Sequence, residues 1–166
     1  MKREIVVIAH DMRSTHNVGS LLRTCEGFGV AHVYLTGYTP YPLAEPDDRL
    51  PHISAKLTTQ IHKTALGAET LVPWTHAEDV TGILAELKTQ GYEIIALEQT
   101  EGSIPLPAYR PNDAVALLLG REVEGIDQEF LALCDKTVEI PMLGHKESFN
   151  VVQAAAMALY VLRFSV

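Results

Sequence analysis

Short runs of apolar residues recur along the chain, and each has about the length of one sheet strand. Glycine, proline or charged residues bound these runs, which is typical of strands that are covered on both faces. The pattern predicts six strands, at residues 4–9, 31–36, 69–74, 92–97, 114–119 and 137–142.

Between these runs the apolar positions take helical spacing. The spacing predicts five helices, at residues 17–28, 58–66, 75–91, 127–134 and 149–164. The third begins at a capping box at 75–78 and ends at Gly91, and the fourth is short. Strands that alternate with helices predict an α/β fold, with a mostly parallel sheet and helices on both faces. No repeat or break in composition divides the sequence, so we expect one domain over residues 1–166.

Two of the predicted strands end in loops that carry polar groups. Gly120, Arg121 and Glu122 follow the strand at 114–119, and the sequence Gly-His-Lys-Glu-Ser at 144–148 follows the last strand. Ligands of open α/β sheets bind outside the carboxyl ends of the strands. The two loops therefore predict one shared pocket. The proline-rich stretch at 37–51 predicts a long irregular loop, of the kind that is functional or disordered.

The last predicted helix is apolar around most of its circumference. Asn150, Gln153 and Arg163 are its main polar residues, and Asn150 with Gln153 fits a capping box at its start. A helix of this composition is buried on more than one side, which indicates contact with a partner subunit.

Charge and cysteine content narrow the class of protein. The formal net charge of −8 argues against a general nucleic-acid binder, although Arg13, Arg23, Arg121 and Lys146 could form a local positive site. Cys25 and Cys134 form no CxxC pair, so we expect free thiols in a reducing compartment. No signal peptide or stretch of membrane-spanning length is present, and a cytoplasmic location is expected.

Several well-known site motifs are absent. The loop after the first strand has no GxGxxG, Gly120–Gly125 lacks the Lys-Ser/Thr of a P-loop, and neither a GxSxG elbow nor metal-ligand spacing of histidine and cysteine occurs. No metal is therefore expected. The absence of these motifs still leaves one alternative, a nucleotide-binding α/β enzyme of another kind.

Three segments resemble the motifs of a known family in their order and spacing. Residues 17–29 (NVGSLLRTCEGFG), 118–126 (LLGREVEGI) and 140–154 (IPM followed by SFNVVQA) resemble motifs 1, 2 and 3 of the SpoU/TrmH family of SPOUT methyltransferases. Residues 63–68 and 72–74 also match a stretch common in that family. Val152 departs from the pattern, because many members carry a small hydroxyl residue there.

The resemblance implies a fold, a cofactor and an assembly. The fold would contain a deep C-terminal trefoil knot that binds S-adenosylmethionine. The assembly would be a homodimer through the C-terminal helix, in which the arginine of one subunit, Arg23 here, reaches the cofactor of the other. The implied reaction is methylation of a ribose 2′-hydroxyl of RNA. We expect tRNA as substrate, with rRNA, or a non-catalytic RNA-binding homologue, as alternatives, and an accessory protein could supply RNA affinity.

The resemblance also suggests a role for individual residues. The suggested catalytic group is Arg23, Asn17, Glu122, Ser148 and Asn150, and the suggested cofactor-binding group is Leu97, Gly120, Ile140, Met142, Leu143, Ser148 and Asn150. The suggested RNA-binding group is Arg13, Arg23, Arg121 and Lys146. Structural alternatives exist: Asn17 could cap the first helix, Leu97 and Ile140 could be core residues, and Lys146 could simply be solvated.

Overall fold

One parallel sheet forms the centre of the protein. The computed structural model describes residues 3–165. Its strands are β1 (Glu4–His10), β2 (His32–Thr36), β3 (Trp74–Ala77), β4 (Glu93–Leu97), β5 (Ile104–Pro105), β6 (Ala114–Leu119) and β7 (Lys136–Glu139). They lie in the order β3-β2-β1-β6-β4-β7-β5, and every pairing is parallel. The predicted α/β class is confirmed.

Helices cover both faces of this sheet. They are α1 (Thr15–Gly27), α2 (Pro51–Ala65), α3 (Val80–Thr89), α4 (Gln128–Leu131) and α5 (Val151–Phe164). Ile5 and Val7 of β1 belong to the core that the sheet shares with α1, α2 and α5, whereas Val6 and Ile8 belong to the core under α3 and α4. This alternation follows from the two-residue period of a strand and explains why β1 is apolar throughout.

Helices α1 and α5 lie side by side and run in the same direction. At their N-terminal ends Asn150 Nδ2 donates to Asn17 Oδ1 (3.3 Å), and at their C-terminal ends the rings of Phe28 and Phe164 are 6.4 Å apart. Phe164 and its neighbour Tyr160 nevertheless remain 61% exposed. We call Phe28, Tyr160 and Phe164 the aromatic patch.

Strand β7 lies between two strands that precede it in the chain. It pairs with β4 on one side and with β5 on the other, and residues 98–103 connect those two strands. The short connection between β4 and β5 therefore has to span β7, which comes later in the chain. A threaded C-terminus requires this arrangement, and the trefoil knot itself stays a prediction.

Several predicted boundaries are wrong, and the largest error concerns β3. The strand predicted at 69–74 lies instead at Trp74–Ala77, where Tyr34 pairs with Thr75, and the helix that follows begins after Asp79. Thr75 and Glu78 have the spacing of a capping box, but pairing with β2 takes Thr75 into the sheet. Helix α2 begins earlier than predicted, at Pro51, where the fixed φ of proline suits the first helical turn.

The remaining differences concern short segments. Ser14, rather than Asn17, caps α1, and β7 ends at Glu139 instead of residue 142. The two-residue strand β5 was not predicted, because Pro105 within it and Pro107 shortly after it obscure any strand pattern. The loop at 37–51 is ordered by Arg49, which donates to Asp47 and to the carbonyls of Tyr41 and Pro42. Both cysteines are free, as predicted. Within residues 3–165, no helix has the length and apolar character that crossing a membrane requires.

Candidate ligand site at the strand ends

A cavity opens where β4, β6 and β7 end. Its volume is about 270 Å³, and it is lined by the last residues of these strands, by the turn after β6 and by the start of α5. The lining residues are Leu97, Glu98, Gln99, Leu119, Gly120, Arg121, Glu122, Val123, Gly125, Glu139, Ile140, Glu147, Ser148, Phe149, Val151 and Ala154. The pocket predicted from the two polar loops is therefore present at the expected edge of the sheet.

The turn after β6 forms one wall of the cavity and is closed by backbone hydrogen bonds. Arg121 N donates to Gly125 O (3.1 Å), and Gly125 N donates back to Arg121 O (3.2 Å). A side chain at Gly120 would overlap the backbone of Gly125, and Gly125 has φ +71°. Glycine at both positions is thus a geometric requirement of the turn.

Glu98 fastens this turn to the end of β4. Its Oε2 accepts a hydrogen bond from Ile126 N (3.0 Å), and its Oε1 accepts one from Gln99 N (2.8 Å). A side chain at Gly125 would overlap Glu98 Oε2. Sequence reasoning missed Glu98, although its place directly after a buried strand was the signal that could have found it.

Glu122 connects the turn to the start of α1. Its Oε1 accepts hydrogen bonds from Ser14 N (3.0 Å) and Asn17 Nδ2 (3.2 Å), and its Oε2 accepts one from Arg13 N (3.2 Å). Asn17 in turn accepts from Asn150, the N-cap of α5, whose Oδ1 receives Val152 N (2.9 Å). The cap predicted for the last helix is confirmed.

This network changes the ionisation of Glu122. Burial acts to raise the pKa of its carboxyl, but the hydrogen bonds from the Ser14 and Arg13 amides and from Asn17 outweigh it, and the pKa falls below its ordinary value. The carboxylate is therefore the form that the network stabilises, and it places a negative charge at the N-terminus of α1, where the helix dipole favours it.

The cavity carries a negative charge. Glu98, Glu122, Glu139 and Glu147 line it, whereas the guanidinium of its lining residue Arg121 is bonded to Asp127 outside. Such a site favours a ligand with a cationic part. Among residues 3–165, histidine, cysteine and acidic side chains form no cluster of three that could hold a metal ion.

The structure brings some of the predicted site residues together and leaves others apart. Leu97, Gly120, Arg121, Glu122, Ile140 and Ser148 line the cavity, and Arg13, Asn17 and Asn150 belong to the Glu122 network. Met142, Leu143 and Lys146 lie in the exposed loop between β7 and α5 and do not line it, and Leu143 is 99% exposed. Arg23 lies on the exposed face of α1, away from the lining. Their suggested roles stay predictions.

A parallel α/β sheet with a ligand cavity at its strand ends defines a broad class of ligand-binding α/β proteins. Comparison with known proteins narrows this class. Residues 4–160 match the SpoU rRNA Methylase family, and the chain belongs to that family.

Two curated relatives show how far the likeness extends. The 23S rRNA (guanosine-2′-O-)-methyltransferase RlmB of Acinetobacter baylyi is 32% identical over 146 residues, which cover 87% of this chain and 53% of the relative. The tRNA (guanosine(18)-2′-O)-methyltransferase of Aquifex aeolicus is 27% identical over 162 residues, which cover 96% of this chain and 68% of the relative. The chain thus spans roughly half to two thirds of the length of these relatives.

A solved structure shares the fold. The AdoMet-bound rRNA methyltransferase of Sinorhizobium meliloti superposes with a TM-score of 0.79 at 20% identity, over 98% of this chain and 57% of that one.

Proposed function

We propose that this protein is an S-adenosylmethionine-dependent RNA ribose 2′-O-methyltransferase, with tRNA as its substrate. The observation that carries the proposal is the cavity at the ends of β4, β6 and β7, whose walls include the segments of motifs 2 and 3. The curated relatives are named as 2′-O-methyltransferases of tRNA and of 23S rRNA, so rRNA is the second substrate to test.

The residues of the cavity suit the proposed methyl donor. Leu97, Leu119 and Ile140 offer apolar surface for a flat base, and the acidic side chains suit a cationic group. When bound, S-adenosylmethionine supplies a methyl group on a positively charged sulfur. Gly120 brings backbone close to the ligand, and Ser148 offers a hydroxyl at the rim.

The same chain does not bring Arg23 to this cavity. Arg23 lies on the exposed face of α1, a helix that contacts α5, and α5 presents the exposed aromatic patch. We propose that a second copy covers this face, so that Arg23 of the partner subunit completes each site. Homodimers with such self-complementary interfaces are the commonest oligomers.

A guanidinium remains protonated, so Arg23 is not proposed as the proton acceptor. Its five donors suit the phosphate and ribose oxygens of RNA, and its charge stabilises the oxyanion that develops as the 2′-hydroxyl loses its proton. The Glu122–Asn17–Asn150 network fixes the start of α1 against α5 and thus positions the helix that carries Arg23.

Methyl transfer to purified RNA tests the function. Wild-type protein, S-adenosylmethionine and either unmodified tRNA or rRNA are incubated, and nucleosides are then analysed by mass spectrometry. We expect a 2′-O-methylated nucleoside in tRNA. Cofactor binding without methylation of either RNA would contradict the enzyme and favour a non-catalytic RNA-binding homologue.

The role of Arg23 can be separated from folding and from cofactor affinity. We expect Arg23→Ala to lower kcat by roughly 100- to 1000-fold, the typical loss when one donor to a developing oxyanion is removed. Cofactor affinity by calorimetry should stay unchanged. Arg23→Lys keeps the charge without the planar fork and should recover only part of the rate.

A mixing experiment tests whether Arg23 acts across the interface. Ser148→Trp places a bulky side chain at the exposed rim of the cavity and leaves Arg23 intact. Subunits of Arg23→Ala and Ser148→Trp are mixed in equal amounts and exchanged. Because half of the dimers then contain one complete site, we expect roughly a quarter of the wild-type rate. If Arg23 serves its own subunit, the mixture stays inactive.

Three further expectations belong to this proposal. The acidic chain suits an accessory protein that supplies RNA affinity, the reaction suits the cytoplasm, where tRNA is abundant, and residues 1–166 are proposed as one catalytic domain.

A further inference from the structure

A second cavity lies at the same edge of the sheet, where β1, β2 and β3 end. Its volume is about 620 Å³. We call it the second groove, and its lining residues are Arg13, Ser14, Thr15, Gly37, Tyr38, Thr39, Pro40, Tyr41, Arg49, Leu57, Gln60 and His76. Apart from Arg13 and Ser14, these residues belong neither to the first cavity nor to the Glu122 network.

One wall of the second groove is a rigid stack of three side chains. The Arg49 guanidinium lies 3.5 Å from the centre of the Tyr41 ring, and the His76 ring stacks on Tyr41 at 3.9 Å. Arg49 is also ion-paired with Asp47, and only 16% of its side chain is exposed. Arg49 is therefore committed to the wall and is not free to hold a phosphate.

Tyr38 stands at the rim with a fixed backbone and an exposed ring. Its N–H donates to Asp11 Oδ1 (2.8 Å), and the preceding Gly37 has φ +62°, at a position where a side chain would overlap Asp11. The residue is nevertheless 83% exposed. An exposed aromatic ring on a fixed backbone beside a groove is a platform on which a flat ligand can stack.

Arg13 lies at the rim that the second groove shares with the Glu122 network. Its side chain is 66% exposed and pairs with Glu124 at the surface (3.0 Å), an interaction of small free energy. Its backbone N–H and that of Ser14 are bonded to Glu122, which lines the first cavity. The two cavities therefore adjoin through these few residues.

We propose that the second groove binds a nucleotide of single-stranded RNA that neighbours the methylated one, with its base on Tyr38 and its phosphate on Arg13. This inference rests on the proposed function, which places the reacting ribose at the first cavity. Unpaired bases that stack on aromatic side chains are the usual basis of single-strand RNA recognition. The adjacency of the two cavities suits consecutive nucleotides of one strand.

Two measurements test the second groove. The first is the Kd, by fluorescence polarisation, of a fluorescein-labelled ten-nucleotide RNA of mixed sequence without self-complementarity. The second is the KM of tRNA in methyl transfer. We expect Tyr38→Ala to raise both by about tenfold, the usual effect of losing one stacked base, and to leave the KM of S-adenosylmethionine unchanged.

Matched variants show whether the aromatic face of Tyr38 causes the expected loss of RNA affinity. Tyr38→Phe keeps the ring and should behave as wild type, whereas Tyr38→Leu keeps apolar bulk without a π face and should resemble Tyr38→Ala. Leu71→Ala removes another exposed apolar side chain, outside both cavities, and should change nothing. Arg13→Ala should weaken RNA binding and make its affinity less sensitive to salt.

The outcomes separate this inference from the proposed function. If wild-type protein methylates tRNA and Tyr38→Ala has unchanged Kd and KM, the second groove is not an RNA site, although the enzyme stands. If the wild type transfers no methyl group but binds the RNA through Tyr38, the enzyme fails and the RNA site stands. A change of oligomeric state in Tyr38→Ala, seen by light scattering, would assign the ring to a protein contact and overturn the inference.

Discussion

Glu122 shows how one residue can join three distant parts of the chain. It follows β6, yet its carboxylate is bonded to the backbone before α1 and to Asn17, which in turn contacts Asn150. The motifs indicated that these residues belong to one site. Their contacts could not be predicted from spacing, because they depend on the side-by-side packing of α1 and α5.

Replacement of Glu122 by glutamine should destabilise the fold. The amide is uncharged and has one acceptor oxygen in place of two, so at least one N–H group loses its acceptor, and we expect a free energy of unfolding lower by about 1–2 kcal/mol. Urea denaturation measures this. Glu124→Gln is the matched control, because the ion pairs of Glu124 with Arg13 and Arg121 lie at the surface, and it should change stability by less than about 0.5 kcal/mol.

The Glu122 contribution should also depend on pH. Because the pKa in the folded protein lies below the ordinary value of 4.5, the contribution is fully present above that value and is lost as the pH falls through the folded pKa. The stability difference between wild type and Glu122→Gln should therefore shrink as the pH falls below about 4.5. A difference that stays constant below this pH would contradict the stabilising role of the hydrogen-bonded carboxylate.

At the scale of elements, apolar runs located the central strands well. The predictions for β1, β2, β4 and β6 agree with the structure within about two residues, the usual uncertainty of such boundaries. The failures, at β3 and β5, are short strands near the sheet edges, where pairing with a neighbour decides the structure more than the residues themselves.

The same reasoning predicted the cavity but not all of its walls. Strand-end loops indicated Gly120, Arg121, Glu122 and Ser148, which the structure places in the lining. The family resemblance suggested Met142 and Leu143 as cofactor-binding residues beside them, and β7 was predicted to extend to residue 142. The strand ends at Glu139, and the exposed loop that follows carries both residues away from the lining.

The turn after β6 offers a test of its required geometry. Gly125→Ala combines an unfavourable φ of +71° with an overlap against Glu98, whereas Gly102→Ala has φ +92° and open space around it. We expect Gly102→Ala to cost about 1–2 kcal/mol of stability, from backbone strain alone, and Gly125→Ala to cost about 1–3 kcal/mol more. Denaturation curves measure both values.

Cofactor affinity separates the two glycine variants further. Only Gly125→Ala should weaken S-adenosylmethionine binding in calorimetry, because only that turn forms a wall of the cavity. If both variants lose the same free energy of unfolding and keep the same affinity for S-adenosylmethionine, the contact between Glu98 and the turn does not shape the site.

At the scale of the whole molecule, the aromatic patch is an exposed apolar surface beside α1. The apolar circumference of the last helix predicted a partner for it, and the exposure of Tyr160 and Phe164 supports that proposal. A net charge of −8 makes nonspecific attraction to RNA weak, so the proposed function requires specific contacts that supply the affinity.

A charged residue in the aromatic patch should separate the subunits. We expect Tyr160→Glu to convert a dimer into monomers in light scattering and to abolish methyl transfer, because burying an unpaired charge in an interface is costly. Leu71→Glu places the same charge at an exposed position outside the patch and should remain dimeric and active. An active, monomeric Tyr160→Glu would show that each subunit works alone.

The parallel sheet also bears on how this protein is made. In the finished sheet Glu4 of β1 lies beside Ala114 of β6, so β1 receives one of its two neighbours only after the whole stretch between these residues has been synthesised. Until then an apolar strand edge stays open on the nascent chain, which favours aggregation and makes late pairing slow. Production of this protein should therefore gain from slow synthesis at low temperature or from chaperones that shield such an edge.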